Sequence, residues 1–311
     1  MTLLNIGIIG LDTSHAVAFT RLLNDPGHPY HIPGGRVTAA FPGGSPDFPL
    51  SAGRVDGFTK EIKEHFGVAI LSTPEEVAAA CDAVLLLSAD GRVHLRQFRS
   101  IASYGKPVFI DKPLALRTDE AKEIFAAASG AGVPLMSSSS LRYADALAQE
   151  LAGEGADGIL GADVSGPMDV QPTQSHYFWY GIHAVEMLYA VMGRGAKEVT
   201  AVSTETEELI TGVWEDGRIG TVRGSRRGTG RFTALIHRCE GSRFIDAGAS
   251  DKPWYASLLE QVMIMFTGER AVLPAEETLE VIAFLEAAEK SRDTGRMVSL
   301  SSCLNEDRRC R

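Results

Sequence analysis

Hydrophobic and polar positions follow two different rhythms along the chain. In the first 140 residues, short continuous apolar runs recur between amphipathic stretches. The runs fall at residues 3–9 (L-L-N-I-G-I-I), 36–41, 68–71, 82–88 (D-A-V-L-L-L-S), 108–113 (V-F-I-D-K-P) and 133–136. A run that is apolar throughout, rather than at every second position, is what a strand covered on both faces requires. Helices are predicted between them at residues 16–23, 59–66 and 74–80, in a stretch ending at Tyr104, and at 119–129. Thr73-Pro74-Glu75-Glu76 is a capping box with proline at the first helical position, so the third of these has a defined start. Strand and helix alternate, which predicts a doubly wound parallel sheet, with residues 42–49 as an inserted loop.

After Ser140 the rhythm changes. A helix over 144–151 precedes short alternating runs at 197–204, 208–214, 218–224, 233–238 and 242–245, with Asp216-Gly217 as a hairpin signal. Helices follow at 254–266 and 276–290. The fold class expected is α/β: a Rossmann domain over residues 1–140, then an α+β domain over 141–300 with a large, mostly antiparallel sheet. Residues 301–311 read as a polar tail.

Length and composition agree with two domains. The 311 residues are 44% hydrophobic and 23% charged, ample for two cores. A formal net charge of −10 argues against nucleic acid or an anionic membrane as the main partner. The Arg-rich run from Arg223 to Arg231 is a local exception and reads as a solvated hairpin. Cys81, Cys239, Cys303 and Cys310 show neither C-x-x-C spacing nor a secreted framework. With no leader-like start and no apolar run of about 18 residues, a cytoplasmic protein is expected.

Two places carry candidate chemistry. The first is Gly7-Ile-Ile-Gly10-Leu-Asp12-Thr13-Ser14-His15, a strand, a tight turn and a helix start. In that geometry backbone N–H groups and the helix dipole hold a pyrophosphate. Asp12 occupies the second glycine position of the usual fingerprint and His15 the third. A carboxylate ~4 Å from a phosphate would be repelled by about 4 kcal/mol at an effective dielectric near 20, so Asp12 is expected to turn away or to cap the helix. The Thr13 and Ser14 hydroxyls are then the phosphate donors. The second strand ends in Phe41-Pro42-Gly43-Gly44-Ser45, with no acid for a ribose and no arginine directly after it, so NAD and NADP both stay open. The second place is Asp111-Lys112-Pro113, at the carboxyl end of a buried strand, where open α/β sheets bind ligands.

Taken together these residues resemble the glucose-fructose oxidoreductase, inositol dehydrogenase and rhizopine catabolism family, Gfo/Idh/MocA. The likeness is carried by G-I-I-G at residues 7–10, the stretch from Asp82 to His94, and G-K-P-V-F-I-D-K-P from Gly105 to Pro113. It resumes at Gly181-Ile-His183-Ala-Val-Glu186 and ends at Glu286-Ala-Ala-Glu-Lys290-Ser-Arg-Asp-Thr-Gly295. The resemblance implies an oxidoreductase using NAD or NADP on a sugar, polyol or related compound. It also implies a cis bond before Pro113, Lys112 and His183 as catalytic residues meeting in one pocket, and a homo-oligomer, dimer or tetramer, built through the second sheet. Cofactor contacts are expected from Gly10, Asp12, Thr13, Ser14, His15, Ser88, His94, Asp111 and Lys112, and substrate contacts from Arg142, His176, Trp179 and Tyr180. Four residues before His183, on the same helical face, the family carries an aspartate; here it is Trp179. Glu186 is placed to orient His183 or to form half of an H-x-x-E pair, which is too few ligands for a metal site. Two other readings share the fold: a ligand-binding protein without turnover, and a redox-neutral lyase or glycosidase with bound NAD.

Overall fold

The computed structural model describes residues 3–154, 158–228, 230–268 and 272–305. They form two compact units, neither continuous in sequence. The first takes residues 1–115, 120–138 and 255–275, and the second takes 116–119, 139–254 and 276–311.

The first unit is built on β1 (Leu4–Ile9), β2 (Gly35–Phe41), β3 (Ala69–Ile70), β4 (Ala83–Leu86), β5 (Val108–Asp111) and β6 (Leu135–Ser138). Their order is β3-β2-β1-β4-β5-β6, and every pairing is parallel. The order reverses between β1 and β4, so the turn after Ile9 and the residues after Leu86 flank the switch point where such sheets bind ligands. Ile6, Ile8, Ile9, Val84, Leu85, Leu86, Phe109 and Ile110 are fully buried, as strands covered on both faces must be. Thr73 Oγ1 accepts the Glu76 N–H at 3.2 Å, and the Glu76 carboxylate accepts the Ser72 N–H at 2.8 Å, so the capping box closes one residue early. The helix Val55–Phe66 starts before its expected first residue, Thr59, because no side chain caps it and nothing in the sequence marks its entry.

The second unit holds a seven-stranded sheet of β7 (Ile159–Pro167), β8 (Ala196–Ser203), β9 (Glu207–Trp214), β10 (Ile219–Ser225), β11 (Thr233–Arg238), β12 (Gly241–Asp246) and β13 (Val298–Ser299). Its order is β12-β11-β7-β10-β9-β8-β13, antiparallel except for β7 with β10. The strand β7 has no counterpart in the sequence reading, because its two glycines, Asp163 and closing proline break the apolar alternation. At Gly161 the lack of a side chain is required: a Cβ there would stand 2.6 Å from the Ile219 carbonyl oxygen of the neighbouring strand.

With β7 between β10 and β11, the Arg-rich segment crosses the end of a strand and is not a hairpin. Nor is Arg226 simply solvated, since its guanidinium donates to Glu208 Oε1 at 3.0 Å and to the Thr204 and Glu205 carbonyls. Residue 229 of that segment lies outside the described residues. The helix Trp254–Phe266, read as part of the second domain, groups with the first unit from Tyr255 onward. Where a polar tail is expected, Leu300–Leu304 is helical, and residues 306–311 lie outside the described residues. Among the described residues, no helix is long and apolar enough to cross a membrane.

Candidate functional site

In the first unit the site begins at Gly10, whose φ of +97° lies in the left-handed region. A Cβ there would come within 2.3 Å of the Ser88 backbone nitrogen, so the turn after β1 meets the end of β4 with no room for a side chain. The Gly10 and Leu11 N–H groups donate to the Phe41 and Pro42 carbonyls, tying the turn to the end of β2. Asp12 does turn away, but it is not the helix cap. Its buried carboxylate accepts the Ser51 hydroxyl at 2.6 Å and the Ala89 N–H at 3.0 Å. The cap of the helix Ser14–Asn24 is Thr13, whose hydroxyl accepts the His15 N–H. The Thr13 hydroxyl is therefore a cap, while Ser14 is exposed at the first helical position. No hydrogen bond to another described residue occupies the Ser14 hydroxyl or the Thr13 and Ser14 N–H groups. This cradle fits a pyrophosphate, with N–H groups at the start of an 11-residue helix and the local carboxylate turned onto the Ser51 hydroxyl and the Ala89 N–H.

The inserted loop is part of the same structure. Ser51, fully buried, accepts the Ser45 N–H at 2.8 Å while donating to Asp12. Arg92 joins the loop to the residues after β4 by forking onto Asp47 and gripping Asp90. Ser51, Asp47 and Arg92 were not singled out by sequence, since the Ser51–Asp12 and Arg92–Asp47 pairs join residues that only the fold brings together.

Asp111, Lys112 and Pro113 close the site at the end of β5, and the Lys112–Pro113 peptide bond is cis, as the resemblance implies. Asp111 is buried, with Oδ2 2.5 Å from His15 Nδ1 and Oδ1 accepting the Lys112 N–H at 2.8 Å. Burial alone would raise its pKa, but the His15 and Lys112 charges hold it below the usual carboxylate range. Burial pushes the Lys112 ammonium down against the opposing pull of Asp111. His15 is wedged against the Tyr255 and Phe19 rings, 4.7 and 5.8 Å between centroids.

Ser88 and His94 stand behind this corner. The Ser88 hydroxyl donates to Gln97, and its carbonyl lies 2.8 Å from His94 Nε2. His94 is fully buried, and its Nδ1 lies 2.9 Å from the Pro113 carbonyl. Both of its nitrogens are thus engaged by backbone, so this histidine braces the turn that carries Lys112.

In the second unit His183 lies in the first turn of the helix Gly181–Met192, with Nδ1 2.6 Å from the Ser139 hydroxyl. Tyr180 and Phe232 meet its ring edge-on, 5.3 and 5.6 Å between centroids. Trp179 does not share that helix. It ends a separate turn, His176–Trp179, and Tyr180 breaks the path between them, so the expected common face is absent. Glu186 does not orient His183 directly. It accepts the Ser139 N–H and pairs with Arg142, whose other nitrogen pairs with Glu277, both at 2.5 Å. Held between two carboxylates, Arg142 stays protonated although it is buried. His176 is engaged by Glu208 at 2.9 Å. Among the described residues no group of three or more metal-ligating side chains occurs. Ser139, Glu277 and Phe232 escaped the sequence reading; only Ser139 left a trace, as the serine ahead of a short 3-10 turn that it caps.

A family model described as an oxidoreductase family with an NAD-binding Rossmann fold, GFO_IDH_MocA, matches residues 54–139. No curated protein matches at the sequence level. Among solved structures, the apo scyllo-inositol dehydrogenase from Lactobacillus casei is similar, at 16% identity and a TM-score of 0.78 over 96% of this chain and 99% of that one. An oxidoreductase from Agrobacterium radiobacter, solved with NAD+, L-tartaric acid and magnesium, is 17% identical with a TM-score of 0.75, over 97% of this chain and 99% of that one. At such identity these likenesses speak for the fold, and the family model speaks for residues 54–139. Residues 54–139 thus match the NAD-binding Rossmann model of the Gfo/Idh/MocA oxidoreductase family, and the chain as a whole, a parallel sheet and a second, mostly antiparallel one, shares the fold of these solved dehydrogenase structures.

Proposed function

We propose that the protein is an NAD-dependent oxidoreductase acting on a hydroxyl or carbonyl carbon of a sugar, polyol or related small molecule. The observation that carries this is the corner at the switch point, where an anion-ready helix start and a partly buried lysine converge at the carboxyl ends of β1 and β5. The nicotinamide would accept or supply the hydride. Thr13 and Ser14 N–H groups would hold the pyrophosphate, with Gly10 giving the clearance. Lys112 would bind the substrate oxygen and stabilise negative charge developing on it. His183 would take or return the hydroxyl proton, help worth ~10²- to 10⁴-fold in rate. NAD is preferred to NADP because Arg92, beside the loop after β2, is already bound by Asp47 and Asp90, and a 2′-phosphate would have to displace carboxylates from it. Arg142, His176, Trp179 and Tyr180 would bear on substrate by shaping the surroundings of His183; the Arg142 guanidinium is held by Glu186 and Glu277, and His176 is hydrogen-bonded to Glu208.

Cofactor titration followed by thermal unfolding tests the reading. Saturating NAD(H) at a hundred times its Kd is expected to add about 2.7 kcal/mol of stability, with NADP(H) weaker. No shift with either at millimolar concentration would sink it. Absorbance at the reduced-nicotinamide band with a panel of cyclitols and sugars then separates net hydride transfer from binding without turnover.

The open face of the second sheet exposes Leu160, Val202, Ile219 and Phe244, each more than half accessible. We read this face as the contact between copies of the chain. Ile219→Lys is expected to shift the light-scattering mass toward the monomer; a wild-type chain that is already monomeric at micromolar concentration refutes the contact. The unpaired thiols Cys81, Cys239 and Cys303 fit a reducing cytoplasm.

A further inference from the structure

We propose that Ser139 is the positioning residue of His183, holding Nδ1 so that the ring exchanges protons through Nε2. This rests on the role given above to His183. The geometry that carries it is a hydroxyl fixed from several directions before it meets the ring. Ser139 is fully buried. Its N–H donates to Glu186 Oε1 at 3.3 Å, and its hydroxyl oxygen accepts the Leu141 N–H at 3.1 Å. Glu186 is in turn anchored by Arg142 and, through it, by Glu277. A serine so held does not follow the imidazole; the imidazole follows the serine. The rings of Tyr180 and Phe232, at interplanar angles of 72° and 67°, fix the remaining freedom of the ring plane.

A hydroxyl suits this place for a reason that a carboxylate does not share. With one lone pair taken by the Leu141 N–H, the oxygen keeps a second for the Nδ1–H of His183. That N–H···O bond is the same in the neutral ring, whose Nε2 then carries a lone pair, and in the imidazolium, whose Nε2 carries the proton. The ring therefore passes between base and acid with no exchange of partners, and Ser139 keeps its own proton throughout. A carboxylate would favour the charged ring, whereas the hydroxyl favours neither form through charge. Trp179, standing where the family aspartate is expected, leaves this duty to a residue from a different part of the chain.

The test reads the ring itself. In two-bond ¹H–¹⁵N spectra of the full-length protein, with His183 assigned through His183→Asn, the neutral wild-type ring is expected to carry its proton on Nδ1. Ser139→Ala is expected to move the ring toward the Nε2–H tautomer and to lower kcat on the order of tenfold, the worth of one hydrogen bond, with KM little changed. Ser139→Thr, which keeps the hydroxyl, is expected to retain the wild-type tautomer. An unaltered tautomer ratio in Ser139→Ala, or an Nε2–H ring in the wild type, overturns the proposal whatever the activity does. Unchanged turnover in His183→Asn instead refutes the role of His183 and leaves the spectra to report on Ser139 independently.

Discussion

Lys112→Met is expected to lower kcat by about 10²- to 10³-fold, the usual consequence of removing a single preorganised electrostatic contact to a developing oxyanion. Methionine keeps the length and apolar stem of the lysine, so what it removes is the charge. The backbone around it is secured independently: Asp111 holds the Lys112 N–H, His15 holds Asp111, and His94 bridges the Ser88 and Pro113 carbonyls. Stability and the shift given by NAD(H) are therefore expected to survive the substitution. The pH profile supplies a second readout. Because burial lowers the Lys112 pKa, the ammonium is present at low pH and is lost as pH rises through a value below the ordinary lysine range. A limb in kcat/KM that falls with rising pH earlier than a free lysine would titrate, and vanishes in Lys112→Met, identifies the group. Turnover equal to wild type in the variant ends the role assigned to Lys112.

The parts of this site that were legible in the sequence are those whose physics is local. An apolar run followed by Asp-Lys-Pro, a glycine after a strand, and Thr-Pro-Glu-Glu before a helix each announce themselves within a few residues. The partnerships were not legible, because they join residues remote in the chain: Asp12 with Ser51, His15 with Asp111, Ser139 with His183. Asp12 illustrates the point. Electrostatics alone showed that its carboxylate had to avoid a phosphate, but only the folded loop shows that a buried serine and a backbone N–H receive it. The strand β7 failed in the opposite way. Its glycine-rich, proline-ended sequence suits a loop locally, and it is a strand because the neighbouring β10 backbone comes close enough to need glycine at position 161. Helical phase misled at Trp179 for a related reason, since a four-residue spacing shares a face only while the helix is unbroken.

The second domain's stability is expected to depend most sharply on Glu208, with Glu208→Ala costing roughly 3–5 kcal/mol. This carboxylate is almost wholly buried and gathers four donors: His176 and Ser203 at 2.9 Å, Arg226 at 3.0 Å and Tyr177 at 2.8 Å. They come from the turn His176–Trp179, the end of β8 and the crossover after β10, so one side chain ties three segments to β9. Alanine removes this acceptor from all four; Arg226 keeps the Thr204 and Glu205 carbonyls, but the buried Tyr177 hydroxyl loses its carboxylate partner. The sign of the pH dependence follows from the same bonds. Burial would raise the Glu208 pKa, but the hydrogen bonds outweigh it and hold the group at about 2. A depressed folded-state value means that its contribution is complete above the ordinary carboxylate pKa and is lost as pH falls toward 2. The difference corresponds to about 3 kcal/mol. Glu208→Gln keeps the shape and drops the charge, so its stability deficit in urea unfolding is expected to be largest near pH 7 and to narrow as pH is lowered from 5 to 3. A deficit that stays constant across that interval, or an alanine variant within 1 kcal/mol of wild type, would show that the cluster is incidental to the fold. The turn that Glu208 anchors leads through Tyr180 into the helix bearing His183, so a loosened cluster is expected to cost proton exchange as well as stability.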